Sequence, residues 1–227
     1  MSAAAKTDRY VETFQRHASI FGRVTDAKTA AALQGVVVQI TGMPDAFAAW
    51  LASYKIPYGK LWPLLRKRPD RTETAADGSF GFCDLPAGRY KLEAVLPKSA
   101  QRYASATHRT VVRSAPSTRR NSGVPSFTTC NIALPPTTIE GSVMAASTPI
   151  QMAIVRVVGS GETTETAADG SYRIVAVQPG TRAVSVSARG FEPTVSPATL
   201  AKAGDTAKVD ITMTPIPPVP GSQHREQ

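Results

Sequence analysis

Apolar and polar residues alternate in short runs along most of this chain. Tyr90, Leu92, Ala94 and Leu96 interleave with Lys91, Glu93 and Val95, and Val184, Val186 and Ala188 with Ser185 and Ser187. A period of two puts the apolar set on one face, the mark of a half-buried β-strand. Ser19-Ile20-Phe21-Gly22-Arg23-Val24 reads as a first strand and Gln34 to Thr41 as a second; the β-branched run Val36-Val37-Val38 suits a pleated surface. The same opening returns later, where Ile139-Glu140-Gly141-Ser142-Val143 matches Ile20 to Val24 and Met152 to Val158 matches the second strand. Each half is predicted to close with two more strands, His108 to Arg113 and Phe127 to Leu134 in the first, Thr194 to Leu200 and Lys208 to Met213 in the second.

Between these runs lies the clearest repeat. Thr72-Glu73-Thr74-Ala75-Ala76-Asp77-Gly78-Ser79-Phe80 recurs as Thr164-Glu165-Thr166-Ala167-Ala168-Asp169-Gly170-Ser171-Tyr172, with only the final aromatic changed. Asp-Gly between strand-like runs predicts a hairpin with a type I′ turn, which needs positive φ at both central residues. The chain is therefore two copies of one β-module. Residues 1–17 form an N-terminal arm, with a short helix expected around Tyr10, Val11 and Phe14. The first module spans 18–135 and the second 136–214, joined at Pro135-Pro136, and a Pro-rich polar tail, 215–227, is expected to be unfolded.

The copies differ by insertions. The first module adds residues 43–71 and a basic loop, 97–126. Within the insertion Phe47, Trp50, Leu51 and Tyr54 fall at i, i+3, i+4 and i+7, one face of a helix, with Pro44 tolerated at its start. Pro57 and Gly59 end it, Leu61, Trp62, Leu64 and Leu65 start a second apolar turn, and Arg66-Lys67-Arg68 closes that turn. Both tryptophans of the protein lie here. Each large apolar side chain left in water forfeits roughly 1.5–3 kcal/mol, so the group must cover an open part of the first module, meet another protein, or do both.

These motifs carry a family resemblance. Asp77-Gly78-Ser79-Phe80-Gly81-Phe82 with Leu85-Pro86-Ala87-Gly88-Arg89-Tyr90-Lys91-Leu92, and Asp169-Gly170-Ser171-Tyr172 with Pro179-Gly180, resemble the carboxypeptidase regulatory-like domain. The resemblance implies an all-β protein: two tandem seven-strand transthyretin-like (prealbumin-like) β-sandwiches, the first with a short helical insertion. Members of that family mostly act as non-catalytic binding or scaffolding modules. The insertion followed by Arg68-Pro69-Asp70-Arg71-Thr72 is also similar to small accessory proteins of phage-tail-like contractile injection particles. Catalytic relatives of the fold fit poorly. The chain ends His224-Arg225-Glu226-Gln227, unlike the Tyr-Arg-Gly-Ser terminus of hydroxyisourate hydrolases, and its three histidines are scattered, unlike the two-Tyr, two-His iron site of intradiol dioxygenases.

Charge and chemistry narrow the function classes. The net charge is +9, and its excess lies early: residues 1–138 hold 19 Lys+Arg against 9 Asp+Glu, the remainder 7 against 8. A basic surface can serve nucleic acid, anionic lipid or an acidic protein, or simply solubility. From Lys98 to Arg120 there are six cations and no acid, but only Tyr103 offers stacking, so nucleic acid is not the expected partner. Cys83 and Cys130 lack zinc spacing and read as small strand thiols, and the sequence leaves open whether a disulfide joins them. Neither a nucleophile elbow nor a phosphate loop is present. No apolar run is long enough for a membrane span, and the polar start lacks a leader's apolar stretch, so the cytoplasm is the expected compartment. The expectation is a non-enzymatic structural or adaptor protein with no cofactor, no metal and no small-molecule substrate. Its protein partner is expected at Phe47, Trp50, Tyr54, Tyr58, Trp62, Arg66, Lys67 and Arg68; the alternative is a carbohydrate- or peptide-binding module.

Overall fold

The computed structural model describes residues 18–65, 68–97, 101–113 and 127–217. The expected N-terminal helix, Arg66 and Lys67, most of the basic loop and the end of the tail lie outside the described residues. The chain divides into two compact units. One runs over residues 18–135 apart from 101–104, and the other takes 101–104 together with 136–217.

In the first unit β1 (Ala18–Asp26) is flanked by β4 (Ser79–Cys83) on one side and by β7 (Thr128–Thr129) and β8 (Ile132–Leu134) on the other. A second sheet has the order β3 (Arg71–Glu73), β2 (Val37–Gly42), β5 (Gly88–Val95), β6 (Ala106–Val112). Helix α1 (Asp45–Lys55) and a 3-10 stretch (Ile56–Leu64) sit between β2 and β3 in sequence. The period-two residues Ile20, Val24, Val38, Ile40, Phe80, Phe82, Leu92, Ala94, Ile132 and Leu134 are all buried.

The second unit repeats this plan. One sheet holds β9 (Thr138–Ala145) with β10 (Thr148–Pro149), β13 (Ser171–Ile174), β16 (Thr206–Lys208) and β17 (Ile211–Thr212); the other has the order β12 (Thr163–Glu165), β11 (Ile154–Val157), β14 (Gly180–Ser187), β15 (Thr194–Leu200). Its core gathers Ile139, Val143, Val155, Val157, Tyr172, Val184, Val186 and Leu200 from both sheets. Each unit is thus an all-β sandwich whose last strand is broken in two.

The break has a cause in both copies. The final strand runs parallel to the first and in register on either side of the gap: Phe21 faces Thr129 and Val24 faces Ile132, as Glu140 faces Lys208 and Val143 faces Ile211. At the gap the strands come too close for a side chain. A Cβ on Gly22 would lie 1.7 Å from the Cys130 carbonyl oxygen, and one on Gly141 would lie 2.0 Å from that of Val209. A side chain then replaces the missing ladder bond, since Arg23 N–H donates to Asn131 Oδ1 (3.1 Å) and Ser142 N–H to Asp210 Oδ1 (2.9 Å).

The repeated nonapeptide turns a corner. Strand β3 pairs with β2 and β4 with β1, so the stretch carries the chain from one sheet to the other and is not the expected two-strand hairpin. The turn is not type I′ either. Gly78 has φ +76° while Asp77 is not in the left-handed region; Gly78 N–H donates to Ala75 O and Ala75 N–H to Ser79 O, both 2.9 Å. That is a turn over Ala76-Asp77 closed by a left-handed glycine, the three-residue loop with a bulge. Asp77 Oδ1 takes the Ser79 N–H at 3.0 Å; the Ser79 hydroxyl first, and then this backbone bond, hold its carboxyl below the ordinary range. Buried Thr74 accepts from Val36 N–H (2.9 Å) and donates to Leu33 O (2.6 Å). The repeat is framework throughout.

Residues 101–104 depart from the sequence assignment, which placed them in the first module's loop. Thr137 N–H donates to Arg102 O (2.8 Å), Arg102 Nη1 donates to Ala176 O (2.9 Å), and the Arg102 guanidinium pairs with Glu162. Burial pushes the Glu162 carboxyl up, but hydrogen bonds from Ser160, its own backbone and Arg102 outweigh that and leave it lowered.

Candidate partner-binding surface

Helix α1 begins after Pro44, which is extended (φ −63°, ψ 149°) and offers no side-chain cap. Asp45 in the first turn and Lys55 in the last complement the helix dipole. The four residues expected on one face divide. Phe47 and Leu51 are buried, whereas Trp50 is 48% and Tyr54 40% exposed. An apolar stripe wider than the helix's footprint leaves its flank outside. Phe47 meets buried Tyr90 of β5 edge to face at 6.1 Å, which fastens the helix to the sandwich.

Beyond α1, Gly59 (φ +46°) lies at a kink in the 3-10 stretch. Tyr58 before the kink and Trp62 after it both meet Tyr54 of the helix. The rings run Phe47–Trp50 (5.5 Å, stacked), Trp50–Tyr54 (5.1 Å, stacked), Tyr54–Tyr58 (5.7 Å) and Tyr58–Trp62 (5.7 Å), with Tyr54 also edge-on to Trp62 at 6.1 Å. A hydrogen bond with Tyr54 raises the Tyr58 phenol above its ordinary range. Offset and edge-on pairs of this kind add about 0.5–1.5 kcal/mol each beyond simple burial.

Trp62 is buried, and cations lie over its ring: Arg68 Cζ is 5.0 Å and Lys55 Nζ 5.5 Å from the centroid. Arg68 itself points inward. Its side chain is 6% exposed and meets the Asp70 carboxylate, with Nε 3.1 Å from Oδ1, while Nη1 donates to Trp62 O at 3.4 Å. Asp70 in turn ties to the sheet, its carbonyl accepting from Ile40 N–H at 2.8 Å. Arg71 Nη1 donates to Pro63 O at 3.5 Å. Arg68 and Asp70 therefore latch the insertion to β2. Sequence alone reads Arg68 as part of a cationic run and as a partner residue; only its spacing of two residues from Asp70 hints at the pair.

Of the expected partner residues, the structure brings Phe47, Trp50, Tyr54, Tyr58 and Trp62 into one ladder and turns Arg68 into its support. Ile56, Leu61 and Leu64, which were not among the expected partner residues, are also exposed, Leu64 by 75%. Elsewhere, Cys83 is an exposed free thiol on β4; Cys130 is free and buried, and burial pushes its thiol up to about 11, so it carries no thiolate near neutrality. Among the described residues no three His, Cys, Asp or Glu come together as a metal site, and no helix is long and apolar enough to cross a membrane.

Two all-β sandwiches built on one plan define the class of protein. More particularly, residues 138–214 match the carboxypeptidase regulatory-like domain. No curated protein matches the chain in sequence. Among solved structures it is similar to the shaft pilin spaA of Lactobacillus rhamnosus GG, at 12% identity and TM-score 0.41 over 91% of this chain and 100% of that one. It is also similar to a streptococcal ancillary pilin (14%, TM-score 0.34, 88% of this chain and 63% of that one) and to the Bacillus anthracis TIE protein (10%, TM-score 0.37, 88% of this chain). It spans about a third of the TIE protein, 34% of that chain. At these identities and TM-scores the likenesses carry no function across.

Proposed function

We propose that this chain is a non-enzymatic structural or adaptor protein that binds another protein through the outward flank of its helical insertion. The observation behind this reading is the ladder's division: Phe47, Leu51 and Trp62 are buried, while Trp50, Tyr54, Ile56, Leu61 and Leu64 remain exposed on the same short segment. Aromatic side chains held rigid by stacking are the residue types that dominate binding hot spots. The assembly we propose is a phage-tail-like contractile injection particle, on the resemblance carried by the insertion and Arg68-Pro69-Asp70-Arg71-Thr72. Assembly in the cytoplasm goes with it, and two free thiols suit a reducing compartment.

The test is co-sedimentation of the tagged full-length chain with particles from its native lysate. Trp50→Ala combined with Leu64→Ser is expected to abolish incorporation while circular dichroism still shows a folded β-rich chain with a cooperative melt. Undiminished incorporation of that folded variant removes the insertion as the contact. The stacked Trp50 and Tyr54 rings also favour a second reading, a platform for the apolar face of a sugar; a glycan array with no signal eliminates it.

A further inference from the structure

Strand β6 forms one edge of its sheet, and the outward face it shares with β5 carries charge that its counterpart lacks. Lys91 stands directly opposite Arg109, and Arg89 opposite Val111; all four are exposed. Like charges directly across an antiparallel pair destabilise it. In the second unit β14 and β15 pair in the same order, with Gly180 facing Leu200 where Gly88 faces Val112. There the pair matching Lys91 and Arg109 is Ala183 and Pro197, and Thr181 stands in the place of Arg89. The shared frame does not require these cations. Among the described residues none of the three has a carboxylate within ion-pair distance. Together with Gly42, Met43 and Val111 they line an open groove of about 460 Å³.

We propose that this groove docks an extended acidic segment of a protein partner, its carboxylates on Lys91, Arg109 and Arg89 and its apolar residues against Met43 and Val111. Charge complementarity sets the sign of the occupant. Glu93, two residues from Lys91 on the same face, ends the basic row, so the occupant's carboxylates lie short of it, over Arg89, Lys91 and Arg109. Strand β6 pairs only with β5 among the described residues, although the Val111 carbonyl already accepts from the Thr128 hydroxyl at 3.0 Å, so an added strand would use the part of β6 before Val111. Pro197 removes an N–H at the matching point of β15, a usual guard on an edge. The chain's own residues 114–126 carry Arg119 and Arg120 and no acid, so they do not complement the groove. This surface is separate from the insertion's flank and stands or falls without it.

The experiment is a fluorescence-anisotropy titration of the full-length protein with a labelled peptide of alternating Glu and Val, beside a Lys-Val control and a labelled single-stranded oligonucleotide. Saturable binding of the acidic peptide is expected, weakened by added salt. The double variant Lys91→Ala, Arg109→Thr should weaken it at least about tenfold while its melting temperature equals or exceeds wild type, because a repulsive pair has been removed. Trp50→Ala should bind the peptide unchanged, which separates this surface from the insertion. The proposal is overturned by an acidic peptide that binds no better than the Lys-Val control, by binding insensitive to the double variant, or by an oligonucleotide that outcompetes the peptide.

Discussion

Thr74 and Thr166 sit in different units yet make the same bonds at the same lengths, 2.9 Å from the N–H just before β2 or β11 and 2.6 Å to a carbonyl. Gly78 and Gly170 turn with φ of +76° and +75°. Even where the residue changes, the bond persists. Tyr90 Oη donates to Pro86 O at 2.8 Å, and Arg182 Nε, at the matching place, to Gln178 O at 2.9 Å. One clear difference between the units lies between β2 and β3. The second unit goes from Val157 to Thr163 in a short loop, where the first interposes α1, the 3-10 stretch and the Arg68–Asp70 latch. Framework is duplicated down to individual hydrogen bonds, whereas the aromatic ladder and the basic groove occur once. Features present in a single copy are the ones the second sandwich is built without.

The comparison breaks most readily at the crossing of first and last strands. Gly22→Ala and Gly141→Ala each drive a methyl into a backbone carbonyl, and each is expected to cost more than about 3 kcal/mol in urea denaturation. A loss in only one of the two variants would undo the claim of equivalent frames. Arg68→Met probes a feature of the first unit alone. It strands the Asp70 carboxylate in a buried site, a change that costs about 3–5 kcal/mol when a partner is removed; the second unit's transition should not move. A replacement of Arg68 that leaves stability intact would show that the latch is dispensable.

The smallest effect is alkaline. Burial pushes the Tyr90 phenol up to about 12, and burial with the Asp210 charge does the same for Tyr172. In the unfolded chain both ionise near about 10. The folded form thus keeps protons that the unfolded form has lost, so the stability from these groups is complete below about pH 10 and declines as pH rises toward about 12. Phenolate absorbance followed beside circular dichroism should show Tyr90 and Tyr172 ionising only as each unit unfolds. Ionisation of all six tyrosines near about 10 with the fold intact would contradict their burial.

Alternation of the kind seen in Tyr90-Lys91-Leu92-Glu93-Ala94 made the sandwich faces legible in the sequence, because burial on a strand follows a two-residue period. The i, i+3, i+4, i+7 spacing likewise exposed α1. The corner at Ala75–Ser79 looks like a hairpin in the sequence because Asp-Gly marks a turn without stating which strands its arms will join. The split between buried Phe47 and Leu51 and exposed Trp50 and Tyr54 depends on how much of the helix the sandwich covers, which no local pattern encodes. Arg68 looked like a surface cation because burial of a charge depends on a carboxylate and an indole brought to it by the fold. Lys91 facing Arg109 is a matter of strand register, visible only once β5 and β6 are paired.

Four residues taken from the middle of one module complete the other. Arg102 supplies the carbonyl that receives the Thr137 N–H and the guanidinium that meets Glu162 and Ala176. A fragment excised at the Pro135-Pro136 joint therefore starts life with an orphaned amide at its second residue and a carboxylate without its counter-ion. Anyone wishing to study the C-terminal sandwich in isolation must graft a surrogate for that short borrowed piece, or keep the whole polypeptide.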